Sequence, residues 1–206
     1  MVSELQHRTR NLISVIAAIT DKTLSRSETL DDFKISFKER LATLARVQGL
    51  FFRMREGDRI TFDELLKTEL SAQSVRVGED GVVVLDGPPG VRLRSGTVQT
   101  LALVLHELVT NAVKYGALSH LGGRLAICWR YQAGEEGKQP RLHLEWKERG
   151  VKMPPAGAEP RGTGQGRELI EQALRHQFAA RTTFALEADG VRFTVSLPVS
   201  TLGPRR

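Results

Sequence analysis

Cysteine is nearly absent. Cys128 stands alone in 206 residues, which excludes an internal disulfide framework and any cysteine-cluster metal site. Long hydrophobic runs are missing too. The longest, Leu12 to Ile19, is interrupted by Ser14 and spans 8 residues, far short of the ~20 a membrane helix requires. No basic-then-apolar leader opens the chain, so secretion is not expected. Aromatic residues are sparse at 6%, and no charged block exists. Residues 1–60 hold 11 basic and 8 acidic groups and the remainder 19 and 16, so the net +6 divides into +3 and +3. That even spread argues against a nucleic-acid partner. The five histidines (His7, His106, His120, His143, His176) include no pair at ligand-like helical spacing. What is present is a globular composition, 40% apolar and 26% charged, enough for one large or two small domains.

Hydrophobic periodicity divides the chain. Leu5, Leu12, Ile16 and Ile19 form one helical stripe, and Phe37, Leu41, Leu44 and Phe51 form another after a polar break at Ser25 to Asp32. Thr29 with Asp32 predicts a capped start for the second helix. A two-helix hairpin cannot bury both stripes alone, so residues 1–55 ask for a partner, either a second copy forming a four-helix bundle or the rest of the chain. Residues 56–60 are the expected junction to a second domain at 56–200, with 201–206 a tail. There the pattern becomes mixed. Thr61 and Glu64 predict a capping box opening a helix to about Gln73. Val82 to Leu85 reads as a strand and Ser95 to Tyr115 as a long helix. Further strands are expected at 124–131, 141–148, 182–187 and 191–197, the last two joined at Asp189-Gly190. Val151 to Gly166 is rich in proline and glycine, and 167–178 is helical in pattern. The fold class is therefore α+β.

Four segments carry candidate chemistry. On the long helix, Glu107, Asn111 and Lys114 fall within about 60° of one another at ~100° per residue, off the apolar stripe of Leu101, Val104, Leu105, Leu108 and Ala112. A carboxylate, an amide and an ammonium on one face suit a Mg²⁺-bound polyphosphate; a solvated polar face reads the same way. Gly162, Gly164 and Gly166 precede a helical pattern, where backbone amides approach phosphate closely, or simply form a loose loop. Glu148, two residues after Trp146, ends a predicted strand, where it would accept from an exocyclic amine, with Gly150 giving the base room; a packing edge is the alternative. His7 lies on the exposed face of the first helix beside Asn11, where a neutral imidazole is a competent nucleophile, although most surface histidines have no such role.

The order of these segments, with His7-Arg8 and Asn11, the block His106-Glu107 through Asn111 to Ser119, and Trp146-x-Glu148, resembles a sensor histidine kinase transmitter of the HWE type over residues 4–198. The resemblance implies a dimerisation and phosphotransfer hairpin followed by a Bergerat-type ATPase sandwich with a mixed, mostly antiparallel sheet. It implies ATP and Mg²⁺, with His7 as phosphoacceptor, Asn111 as the Mg²⁺ ligand, and Glu107 as acid/base or metal-shell carboxylate. Lys114 and Tyr115 would flank the nucleotide, Glu148 would stand where the wider superfamily reads adenine, and Thr194 on the last strand would support the base. Gly162, Gly164 and Gly166 would form the lid. Arg8, where many such kinases carry an acid, is expected to keep His7 neutral and draw phosphate. Two departures fall near the nucleotide: Arg149-Gly150-Val151-Lys152 replaces a Gly-Gly-Pro-like turn, and the lid reads Gly-Thr-Gly-Gln-Gly. The implied partners are a response-regulator receiver domain, a second copy of the chain and a sensor domain outside it, in the bacterial cytoplasm. An ATP-independent phosphotransfer protein and an anti-sigma-type serine kinase are the competing readings; neither uses the hairpin histidine and the nucleotide residues together.

Overall fold

The computed structural model describes residues 2–25, 27–54, 58–78, 81–134, 139–153 and 180–200, with backbone alone at 2–11 and 22. Two long helices open the chain, α1 (Val2–Leu24) and α2 (Leu30–Phe52). Thr29 caps α2 as its sequence predicts: its hydroxyl accepts from the Asp32 N–H and the Asp32 carboxylate accepts from the Thr29 N–H. Two amides that the helix leaves orphaned are thereby satisfied. Thr61 and Glu64 repeat the device at α3 (Phe62–Ala72).

A five-stranded sheet follows, in the order β1-β2-β3-β5-β4. The strands are β1 (Val83–Asp86), β2 (Arg124–Gln132), β3 (Arg141–Arg149), β4 (Arg181–Glu187) and β5 (Gly190–Pro198). β1 runs parallel to β2, which requires a crossover, supplied by α4 (Ser95–Lys114); the remaining pairs are antiparallel. The expected α+β sandwich with a mixed, mostly antiparallel sheet is what forms. Inward residues alternate along the strands: Leu125, Ile127 and Trp129; Leu142, Leu144 and Trp146; Phe193, Val195 and Leu197. They meet α3 through Leu65, Leu66 and Leu70 and α4 through Leu101, Leu105 and Leu108.

The last hairpin turns one residue earlier than the Asp189-Gly190 dipeptide suggests. Ala188 and Asp189 form the loop, and Gly190 already pairs with Glu187. Glycine is needed there because a Cβ would lie 2.0 Å from the Glu148 carbonyl oxygen.

The helical hairpin finds cover within the same chain. Val15, Ile19 and Leu44 form one buried cluster with Leu103, which projects from the side of α4 turned away from the sheet. Val47 of α2 joins the main core outright. The buried residues of α2 are Arg40, Thr43, Leu44 and Val47, with Phe37 partly buried, so Arg40 takes the place expected of Leu41. Ile13, Leu24, Leu30 and Ile35 remain largely exposed on the hairpin. No helix among the described residues is long and apolar enough to cross a membrane.

Candidate functional site

α4 organises the site because it is buried on two sides. Its apolar stripe faces the sheet, and its polar stripe faces the α1–α2 hairpin. Glu107 is nearly buried, and its Oε1 accepts from Arg40 Nε at 2.8 Å. A second Arg40 nitrogen donates to the Thr23 hydroxyl at 2.7 Å, so one guanidinium ties α1, α2 and α4 together. Two helical turns further, the half-exposed Lys114 lies 3.5 Å from Glu39 of α2. Asn111 sits between them, half-buried, and its side-chain amide makes no hydrogen bond among the described residues. Tyr115 ends the helix half-exposed, its N–H donating to the Asn111 carbonyl.

Sequence reasoning missed a second polar cluster beside this one. His106 is buried, with Nδ1 3.6 Å from Glu69 Oε2 and 3.4 Å from an Arg46 nitrogen. Arg46 grips the fully buried Glu69 through two nitrogens, at 2.6 and 3.3 Å. The available signal was positional: Arg40 and Glu69 both occupy buried positions in otherwise apolar helical stripes, where a charge survives only if paired.

Glu148 differs from its expected role. It is inward-facing and 3% exposed, with Oε1 accepting from Trp146 Nε1 at 2.9 Å and Oε2 from the Ala117 N–H at 2.8 Å. Instead of opening toward an exocyclic amine, the carboxylate clamps β3 to the one-turn 3-10 helix Ala117–Ser119, which follows directly on α4. Trp146 and Glu148 thereby fix the end of the helix that carries Asn111. Gly116 makes the clamp possible, because a Cβ there would come 1.9 Å from Glu148 Oε2 and 2.8 Å from the Ala112 Cα. Its φ of −101° suits any residue, so the cost of Gly116→Ala is steric alone. We expect a loss of about 2 kcal/mol in a chemical melt, reduced but not abolished when Glu148→Ala is made alongside, because the contact with the Ala112 Cα remains; equal losses in both backgrounds would contradict the clamp.

Burial pushes the Glu148 carboxyl above the ordinary carboxylate range, against the pull of its bonds from Trp146 and Ala117. The folded state then holds this proton more tightly than the unfolded state. Its contribution favours folding at acid pH and declines as pH rises from the ordinary carboxylate value through the raised one. Glu148→Gln removes that titration, so its stability profile over this window is expected to be flatter than that of wild type in urea melts. Parallel profiles would assign the slope elsewhere.

Gly150 closes β3 in the left-handed region at φ +74°. Thr194 requires correction. It pairs with Glu145 across the β3–β5 ladder and hydrogen-bonds Thr183, which puts it on the outer face of the sheet, opposite Glu148 and α4. Period-2 alternation forbids both faces to one site, so Thr194 leaves the candidate set. His7, Arg8 and Asn11 fall within α1, their side chains outside the description. Gly162, Gly164 and Gly166 lie outside the described residues, as does the expected helix at 167–178.

Comparison with known proteins follows the same line. Residues 4–89 match the family model of the HWE histidine kinases. The chain is 31% identical over 205 residues to blue-light-activated histidine kinase 1 of Erythrobacter litoralis, covering 97% of this chain and 53% of that protein. It is 26% identical over 198 residues to the blue-light-activated histidine kinase of Rhizobium johnstonii, covering 96% and 53%. The chain thus spans about half the length of these curated relatives. In fold it is similar to a solved blue-light activated histidine kinase of Erythrobacter litoralis, with TM-score 0.53, 16% identity, and coverage of 96% of this chain and 58% of that one. The isolated kinase domain from that organism gives TM-score 0.51 at 14% identity, covering 90% and 96%. Over residues 4–89 the chain matches the HWE histidine kinases, and along nearly its whole length it is similar in sequence to blue-light-activated histidine kinases.

Proposed function

We propose that the chain transfers the γ-phosphoryl group of ATP to His7 and then passes it to an aspartate of a receiver domain. A nitrogen of the His7 imidazole bonds to the γ-phosphorus as the bond to the bridging oxygen breaks and ADP leaves. The observation that carries this reading is the packing of the histidine-bearing hairpin on the face of α4 that presents Glu107, Asn111 and Lys114.

The residues present suit a magnesium nucleotide unequally. Asn111 offers an amide oxygen that bonds nothing among the described residues, the hard donor that Mg²⁺ takes. Lys114 supplies mobile positive charge for phosphate. Glu107 is already neutralised by Arg40, so a proton-accepting or metal-shell role for it requires that pair to open. Gly162, Gly164 and Gly166 are proposed to supply lid amides. Positioning and electrostatics carry phosphoryl transfer, so this set needs no strong base. Mg²⁺, when bound, would offset the charge of the phosphates.

The additional length of the blue-light-activated relatives points to a sensory region governing this transmitter part. The exposed Ile13, Leu24, Leu30 and Ile35 suit pairing of two hairpins, and use of ATP suits the cytoplasm. The test is incubation with γ-labelled ATP and Mg²⁺. Wild type is expected to gain label that acid removes, and His7→Ala none. Acid-stable label, or label retained by His7→Ala, would end this reading.

A further inference from the structure

We propose that the outer face of the sheet, turned away from the helices, is a docking surface for an acidic segment of a partner protein. Alternation along the strands assigns this face its side chains, and the balance is one-sided. Seven arginines and lysines project from it against Asp86, Glu145 and Glu187, a surplus of four in a chain whose net charge is +6. A charge spread that is even along the sequence is therefore concentrated in space.

The register shows how the cations are arranged. Arg130 pairs with His143, His143 with Ser196, and Ser196 with Arg181, a single row across four strands. At ~4.8 Å per strand this row extends about 14 Å, too wide for one phosphate and suited to successive carboxylates of a peptide. Arg141 adds a third guanidinium there, held by donation to the Ser196 hydroxyl and carbonyl at 2.8 Å. At the far end of the ladder Arg124 stands directly opposite Arg149, a like-charge pair that destabilises the sheet unless an anion lies between.

Only part of this charge is met internally. Glu145 takes Arg192 at 2.7 Å and Glu187 takes Lys147 at 3.5 Å. Arg130 and Arg181 are exposed and form no ion pair among the described residues. Between them lies an open concavity of about 740 Å³, floored by Cys128, Thr183 and Thr194, with room for an apolar or hydroxyl side chain between acidic ones. This face is remote from α4, so the proposal stands independently of phosphoryl transfer.

The full chain would be titrated with a short fluorescein-labelled peptide of glutamate interspersed with serine and leucine, followed by anisotropy. Wild type is expected to bind, and affinity to fall as salt rises from about 0.05 to about 0.3 M. Arg130→Glu and Arg181→Glu should each weaken binding at least about fivefold, whereas Lys67→Glu, an equal charge change on exposed α3, should stay within about twofold. Absent binding, or equal losses in all three variants, would overturn the proposal. So would an oligothymidylate of equal charge binding about tenfold more tightly than the peptide, since that assigns the face to polyphosphate.

Discussion

Arg40→Met is expected to lower the unfolding free energy by about 3 kcal/mol, and Glu107→Leu made with it to restore most of that loss. Both charges are nearly out of water: the Arg40 side chain is 7% exposed and that of Glu107 14%. Removing the guanidinium alone strands a carboxylate at a packed helix seam and leaves the Thr23 hydroxyl without its donor. Removing both charges replaces an expensive pair with apolar contact beside Leu44 and Leu103, at a seam already built on such contact. Urea melts of the two single variants and the double variant give the coupling directly. Added salt should change it little, because a buried pair is poorly screened. Strictly additive losses, or less than about 1 kcal/mol for Arg40→Met, would show that the hairpin is not held to α4 through this contact.

That latch also marks the limit of what the sequence discloses. Local rules were largely legible, apart from the turn at Gly190 and the Leu41 position of α2. Thr29-Asp32 and Thr61-Glu64 announce their capping boxes, the 3.6-residue stripe of α4 is unmistakable, and all five strands emerge within a residue of their observed ends. Tertiary compensation was not legible. The stripe positions of Arg40 and Glu69 signal burial, but their partners Glu107 and Arg46 come from other helices that the sequence does not place beside them. Glu148 looks available for a ligand because nothing in its own strand shows that the Ala117 amide arrives from beyond α4. Thr194 misled for a simpler reason. Its face is decided by parity with Glu145, which depends on register, and register is a property of two strands together.

Asn111→Ala is expected to reduce labelling of His7 at least about a hundredfold while leaving stability within about 0.5 kcal/mol. The two halves of that statement have one cause. The side chain is half-buried on α4 and bonded to nothing described, so the fold loses little when it goes. A polar amide in that position, between Glu107 and Lys114 and bonded to no described residue, is placed to serve a ligand. Labelled ADP titrated with and without Mg²⁺ separates the possibilities. Wild type should bind more tightly with the ion present, and Asn111→Ala should lose that difference while keeping its Mg²⁺-free affinity. A variant that unfolds more readily would instead give Asn111 a structural part, and one that labels His7 at more than about a tenth of the wild-type rate would remove it from the reaction. The contrast with Glu107 sharpens the test. Glu107 cannot be changed without disturbing Arg40, so lost activity there mixes catalysis with docking. Asn111, without such ties among the described residues, reports on the nucleotide more directly.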